Sequence, residues 1–431
     1  MFNIFWFRRD LRLEDNHGLF KALKSSREVI PLFIFDRLIL QQLEDRQDAR
    51  VQFIHQQLQK INEQLKPYQT SMMVIEGEPI EVFTQLISQH PIEKVFANAD
   101  YEPYGIQRDQ KVAQLLQQSG VGFETFKDHV IMEPGAVLKS DGLPYTVFTP
   151  FAKRWKENLL PEHLQTFPSE LLVNHLHQQI HVLPTLEQIG LKPSPIQVPE
   201  LRSEDERIQQ YEQTRNFPAQ DGTTLAGPHL RFGSVSVRKL AAQALHNSTT
   251  YLNELIWREF FMHIMFFFPQ SEQSNFYSKY NTVQWRNNEE EFEKWCQGRT
   301  GYPMVDAGMR ELSATGFMHN RVRMVAASFL TKHLLIEWQW GEAWFAAKLL
   351  DYELSSNVGN WQWAAGTGCD ASPYFRVFNP SEQIKKFDQG LVYIQKWIPE
   401  LNDFSYPKPI VDHAFARDRA IQTYKKALAT V

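Results

Sequence analysis

With 431 residues the chain exceeds one ordinary domain, and 43% hydrophobic with 22% charged residues describes a soluble globular protein with ample core. A net charge of -5 gives no general affinity for nucleic acid, so a DNA-binding surface would need local sorting of charge. Two cysteines, Cys296 and Cys369, exclude a disulfide framework and a cysteine-rich metal site, and they suit a reducing cytoplasm.

Residues 1–7 are apolar but too short for a signal peptide, and Arg8 and Arg9 follow the run rather than precede it. Apolar runs at 3–7, 29–35, 71–75, 94–97 and 122–126 predict five strands, while 48–65, 80–88 and 107–118 show helical spacing. This alternation predicts a doubly wound parallel sheet over residues 1–130. Such sheets take ligands beyond the carboxyl ends of their strands, here the loops 8–16 and 98–104. No G-x-G-x-x-G fingerprint and no P-loop occurs, so a standard dinucleotide or nucleotide site is not supported.

Residues 131–202 are punctuated by prolines and read as a long, partly ordered connection. His175, His177 and His181 lie close together there, but no acidic or Cys partner stands at ligand spacing. Surface histidines are expected, and no metal is assigned. From 203 to 431 the chain reads as all-helical, with helical spacing in 237–245, 251–267, 289–295, 303–312, 321–335 and 344–351. The longest apolar run, 260–268, contains His263 and is too short to cross a bilayer. A cytoplasmic protein without a membrane segment is expected.

The stretch 295–380 places Trp, Asn, Arg and Gly side by side. A plain core would use Leu, Ile and Ala, because each buried indole N–H or amide needs a partner. A lined pocket is the expectation. Glu254 and Trp257 share a helix face, and Glu254 and Arg258 stand at ion-pair spacing. Spacing alone allows a surface ion pair beside a core Trp, or a carboxylate and an aromatic plate facing a ligand. Asn320 and Met324, with His319 and Arg323 beside them, allow a core Met with solvent-facing basic residues as readily as a pocket wall. Asp351 and Glu353 precede a Ser-Ser-Asn turn, and paired carboxylates suit acid–base work, sugar hydroxyls or an Arg. Trp285, Trp338 and Trp361, each taken singly, read as core.

Several long motifs then occur in order: Asn253-Glu-Leu-Ile-Trp-Arg-Glu-Phe260, Gly298-Arg-Thr-Gly-Tyr-Pro303, Met318-His-Asn-Arg321, Trp361-Gln-Trp363, and Tyr374-Phe-Arg376 with Phe378-Asn-Pro380. With the opening Trp6-Phe-Arg-Arg-Asp-Leu-Arg-Leu-Glu-Asp-Asn16, the chain resembles the DNA photolyase/cryptochrome family, specifically the class I cyclobutane pyrimidine dimer photolyases. The resemblance covers nearly the whole chain and is weakest between about 155 and 205.

It implies an α/β antenna domain over 1–130, an interdomain linker over 131–202 and an all-helical FAD-binding domain over 203–431. Tyr211, Thr223 and Thr224 would contact the flavin phosphates, in a loop continuing through Leu225, Ala226 and Gly227. Asp351 and Glu353 would meet the adenosine portion, Asn357 would face flavin N5, and Arg258 would pair with Asp351. Glu254, Trp257, Asn320, Met324 and Trp363 would line the lesion pocket, with Arg215, Arg321, Arg376 and Gln383 nearer the DNA. Trp361, Trp338 and Trp285 match a tryptophan chain that relays electrons to the flavin.

The implied activity is light-driven repair of damaged DNA by electron transfer from excited FADH− to a dimer that has left the base stack. A monomer is expected. The rival reading is a cryptochrome-like photoreceptor that binds flavin without repair. Relatives that repair (6-4) lesions carry histidines at the places of Asn320 and Met324, and plant-type cryptochromes usually carry Asp at that of Asn357. The latter also add a long C-terminal extension beyond where this sequence stops, at Val431. All three points favour dimer repair. Gly227 stands where relatives have Ser, Phe317 replaces a usual Trp, and Ser271-Glu272 replaces a folate-contacting Cys-Lys pair. Glu102 matches another folate contact, so a second chromophore stays open among folate, deazaflavin, a second flavin or none.

Overall fold

A computed structural model describes residues 1–429. The described residues form two compact units: residues 1–137, 155–203 and 225–247 make the first, and residues 138–154, 204–224 and those from 248 onward the second.

The first unit is a five-stranded parallel sheet, β1 (Phe2–Phe7), β2 (Val29–Asp36), β3 (Met73–Gly77), β4 (Ile92–Asn98) and β5 (Gly122–Phe126), in the order β3-β2-β1-β4-β5. Helices cover both faces, and this is why β2 is buried along its whole length. In β1, Ile4 and Trp6 enter one core with Val82, Phe83 and Val112, while Phe5 and Phe7 enter the other with Leu19, Leu58 and Ile61. That is the two-residue period of a strand covered on both sides.

The order reverses between β1 and β4, so the loops 8–16 and 98–104 meet at the switch point. Asn98 Nδ2 donates to Asp10 at 2.6 Å and to Asn16 Oδ1 at 2.8 Å. Arg8 bonds Asp109, Arg9 lies 3.2 Å from Asp100, and Trp6 lies near the guanidinium groups of Arg8 and Arg108, at 4.7 and 5.1 Å.

The proline-rich stretch is more ordered than its composition suggests. Between 155 and 203 it is pinned to the sheet unit by Val173, Leu176, Ile189 and Leu191, all buried, and Leu176 bridges β2 at Val29. Prolines remove ladder and helix hydrogen bonds, but apolar anchors every few residues still dock the chain. His175 meets the Leu23 carbonyl at 2.8 Å, and His177 the Glu28 carboxylate at 2.7 Å.

The second unit is helical. Of its helices, α1 (Thr249–Phe267), α3 (Asn320–Ser328), α4 (Trp338–Lys348) and α5 (Leu354–Ala365) carry candidate residues, and α2 (Pro303–Thr315) packs against α3. The single helix expected over 321–335 is divided, since α3 passes into a π-helical turn at Phe329–His333. That turn seats the buried Lys332 on the Ala365 carbonyl (2.6 Å) and 3.9 Å from the Tyr424 ring centre. α4 begins earlier than the expected 344. α5, whose Ser, Asn and Gly residues are weak helix formers, escaped the pattern reading. Packing decides it: Gly359 lets α5 approach so closely that a side chain there would strike Phe261 of α1. Further helices follow at Pro380–Phe387, Val392–Trp397 and His413–Ala429. Among the described residues no helix is long and apolar enough to cross a membrane.

Candidate flavin and lesion site

α1 starts at Ser248, whose side chain caps the Tyr251 N–H. Its Glu254 does not pair with Arg258. The Glu254 carboxylate takes an ion pair from Arg215, whose guanidinium lies 5.4 Å from the Tyr211 ring centre. Burial pushes the Glu254 carboxyl above the usual range, against the opposing pull of Arg215. Arg258 turns instead to Glu353 at 3.1 Å. The pairing drawn from the resemblance, Arg258 with Asp351, is therefore replaced, because Arg323 of α3 grips both Asp351 oxygens at 3.1 and 2.9 Å.

Glu353, which precedes α5 as its N-cap, and Asn357 and Trp361 within α5 fall four apart in sequence. Each is braced from another helix. Arg258 of α1 holds Glu353. Glu342 of α4 receives the Asn357 amide N–H groups at its carboxylate (2.8 Å) and its carbonyl (3.1 Å). The Trp361 indole is buried edge-on against Phe345, and a side chain at Gly341 would run into it. Asn357 is thus left with its amide oxygen to offer.

Trp338 is buried one turn before Gly341, and its indole N–H reaches Asn275 at 2.9 Å. The chain around Trp285 is tied to the residues just before Trp338, through Arg286 N–H to Leu335 O (2.7 Å) and Glu337 N–H to Asn287 Oδ1 (2.9 Å). The half-buried Trp285 ring meets Tyr424 edge-on at 6.0 Å.

His319 caps α3 by accepting from Arg321 N–H at Nδ1, so the proton sits on Nε2, which is buried with no hydrogen-bond partner among the described residues. Burial, then Arg323, Arg321 and Arg215, push its pKa down to about 4. Arg321 donates to Asn216 at 2.7 Å. Asn320 and Arg376 are exposed, while Met324, Trp363 and Gln383 are half-buried. Thr224 Oγ1 meets the Tyr251 hydroxyl at 3.0 Å, and Tyr211 packs edge-on against the Tyr251 ring at 5.1 Å. Arg207 holds the preceding loop through the Asp221 and Thr223 carbonyls. Leu225, Ala226 and Gly227 belong to the first unit, at the start of the helix Ala226–Phe232.

Glu342, Asn275 and the role of Arg323 were not legible beforehand. Glu342 and Asn357 are 15 residues apart, and no local spacing rule links them.

On α1, His263 is 2% exposed between Phe151 and Phe267, and burial lowers its pKa to about 4. The unfolded chain takes up that proton near pH 6.5, so below this it binds more protons than the folded chain. Stability should therefore fall between pH 6.5 and about 4, by up to about 3 kcal/mol for this group. His263→Phe should flatten that limb in urea unfolding series at neutral and acid pH. An unchanged slope would assign the acid sensitivity to other groups.

A family model described as DNA photolyase matches residues 3–170, and one described as FAD binding domain of DNA photolyase matches residues 251–426. A deoxyribodipyrimidine photo-lyase of Synechococcus sp. is 36% identical, covering 99% of this chain and 97% of that protein. Among solved structures, a bacterial class III photolyase from Agrobacterium tumefaciens superposes with a TM-score of 0.87 at 32% identity, covering 99% of this chain and 97% of that one. An archaeal photolyase from Sulfolobus tokodaii, solved with two FAD molecules, gives 0.80 at 30% identity, covering 99% and 100%. A parallel-sheet unit followed by a helical flavin-type unit is the architecture of light-dependent flavoproteins of this kind. The chain belongs to the DNA photolyase family.

Proposed function

We propose that this protein splits cyclobutane pyrimidine dimers in DNA under light, with reduced FAD as its cofactor. The observation that carries the reading is the series Glu353–Asn357–Trp361, a carboxylate at the N-cap of α5 and an amide and an indole along α5, each braced from a neighbouring helix. When bound and excited by light, FAD supplies the electron; the residues supply position and electrostatics.

The donor set suits such a ligand. Asp351 and Glu353 offer carboxylates for ribose hydroxyls, and Tyr211, Thr223 and Thr224 offer hydroxyls toward phosphates. Asn357, its N–H groups held by Glu342, keeps an oxygen to accept from a flavin N–H. The buried His319 N–H adds an unused donor beside Arg321 and Arg323.

For the dimer, Trp257 and Trp363 provide flat apolar walls, worth about 1–3 kcal/mol per stacked base. Glu254 can hydrogen-bond a pyrimidine carbonyl where negative charge develops; donation needs the protonated form, toward which burial pushes the group and against which the Arg215 pair pulls. Asn320 and Met324, in place of histidines, favour the cyclobutane lesion over the (6-4) lesion. Arg215, Arg321, Arg376 and Gln383 are assigned to the DNA strand, and a monomer in the cytoplasm is the working form.

A second chromophore is assigned to the loops after β1 and β4. Glu102 there already lies 3.3 Å from Arg9 and 3.6 Å from Arg231. Ser271 donates to the Phe268 carbonyl at 2.7 Å. The Sulfolobus tokodaii photolyase solved with two FAD molecules makes a second flavin the favoured antenna.

The deciding experiment is a repair assay on a thymine-dimer oligonucleotide, with reduced flavin and blue or near-UV light on or off. Light-dependent loss of the dimer is expected, with no repair of a (6-4) oligonucleotide run alongside. Flavin that binds and photoreduces while neither lesion is repaired would instead mark a photoreceptor.

A further inference from the structure

Phe148 lies far from Trp257 in sequence, yet in the second unit the two rings stack face to face, 3.6 Å between centres and 5° from parallel. We propose that Phe148 is a positioning residue, which fixes the plane of the Trp257 indole so that its remaining surface is preset to receive a flat base. This rests on the dimer-repair reading and adds to it a residue that makes no assigned contact with flavin or DNA.

Three observations carry the inference. Trp257 is only half-buried, so its indole keeps surface open after Phe148 has covered one face. Its other ring neighbours, Phe260 at 82° and Phe261 at 29°, are more distant, with centres 5.6 and 5.5 Å away, so Phe148 is its only close parallel partner among the described residues.

Phe148 itself is anchored. It opens the helix Phe148–Asn158, and its backbone N–H donates to the Asp370 carboxylate at 3.1 Å. Its ring also meets Phe260 edge-on, and one turn later Phe151 packs on Phe260 and His263. A ring held this firmly acts as a backing plate rather than as a flap that a base would push aside. Asp370 adopts a left-handed conformation at φ 47, strained for a non-glycine residue, just before the segment that carries Arg376. The anchor therefore sits beside the stretch assigned to DNA. An aromatic platform whose rotation is already restricted loses less freedom when a base stacks on it, and this is how a residue outside the contact tightens binding.

The test uses the flavin-loaded protein labelled with 5-fluorotryptophan, as wild type, Phe148→Ala, Phe148→Tyr and Asp370→Ala. The first readout is the fluorine resonance of Trp257, assigned with Trp257→Phe and read without DNA. The second is the affinity for a dimer-containing oligonucleotide against its undamaged counterpart. Phe148→Ala should shift and broaden the Trp257 resonance and weaken dimer binding by about tenfold, the upper end expected from one aromatic pair. Binding to undamaged DNA and flavin photoreduction should stay unchanged. Phe148→Tyr should restore both readouts, and Asp370→Ala should fall between. An unmoved Trp257 resonance, or tighter dimer binding by Phe148→Ala, overturns the proposal. A wild type that does not prefer the dimer, while the resonance still responds to Phe148, keeps the positioning role and refutes the repair reading.

Discussion

Trp338→Phe should abolish light-driven reduction of oxidised flavin, while chemically reduced protein repairs dimers at close to the wild-type rate. A phenyl ring fills nearly the same space as the indole but gives up an electron far less readily. The relay through Trp361, Trp338 and Trp285 that the resemblance implies would run over two local joints. Gly341, one turn beyond Trp338 on α4, seats the Trp361 ring, and the backbone beside Trp285 bonds residues 335–337 immediately before Trp338. The substitution forfeits the hydrogen bond to Asn275, a cost of about 1 kcal/mol, which a well-packed helical unit tolerates. Absorbance of the flavin under steady illumination, followed by the oligonucleotide assay after dithionite reduction, separates the two effects. Collapse of repair in the pre-reduced variant would remove Trp338 from the relay and make it a structural or substrate residue.

Glu254→Ala should lower repair per absorbed photon by roughly tenfold with only modest loss of FAD. That is less than the ~10²–10³ lost with a preorganised oxyanion donor, because light supplies much of the driving force here. The side chain sits between two demands, burial that raises its pKa and Arg215 that opposes the rise. A raised folded-state pKa means that the folded protein holds this proton to higher pH than the unfolded chain does. Its contribution to stability is therefore lost as pH rises through the folded value. If the protonated carboxyl is the donor, repair per photon declines over the same rise in wild type. Glu254→Gln, which keeps an N–H donor at neutral charge, should show a flatter profile and retain more activity than Ala. Equal yields for wild type and Ala would remove Glu254 from the mechanism.

How much was readable in advance differs by element. β1 announced itself because it alternates between two cores, and β2 because both its faces are covered. The motif around Glu254, Trp257 and Arg258 was visible as a helix face, yet neither the pair that spacing allowed, Glu254 with Arg258, nor the pair that the resemblance implied, Arg258 with Asp351, is the one that forms. Arg258 reaches Glu353, 95 residues on, rather than its neighbour one turn away. α5 was hidden because Ser, Asn and Gly carry a helix there only with α1 and α4 packed against them.

The sequence by itself determined the parallel sheet, the helical half and the family, since hydrophobic period and motif wording are properties of the chain read locally. It also determined which residue types were available for a flavin and a lesion. Only the tertiary structure decided the partners: Arg215 for Glu254, Arg323 for Asp351, Glu342 for Asn357 and Phe148 for Trp257. An ion pair or a ring stack forms between whichever groups packing brings within a few ångströms, and helix–helix packing sets those distances without regard to separation along the chain.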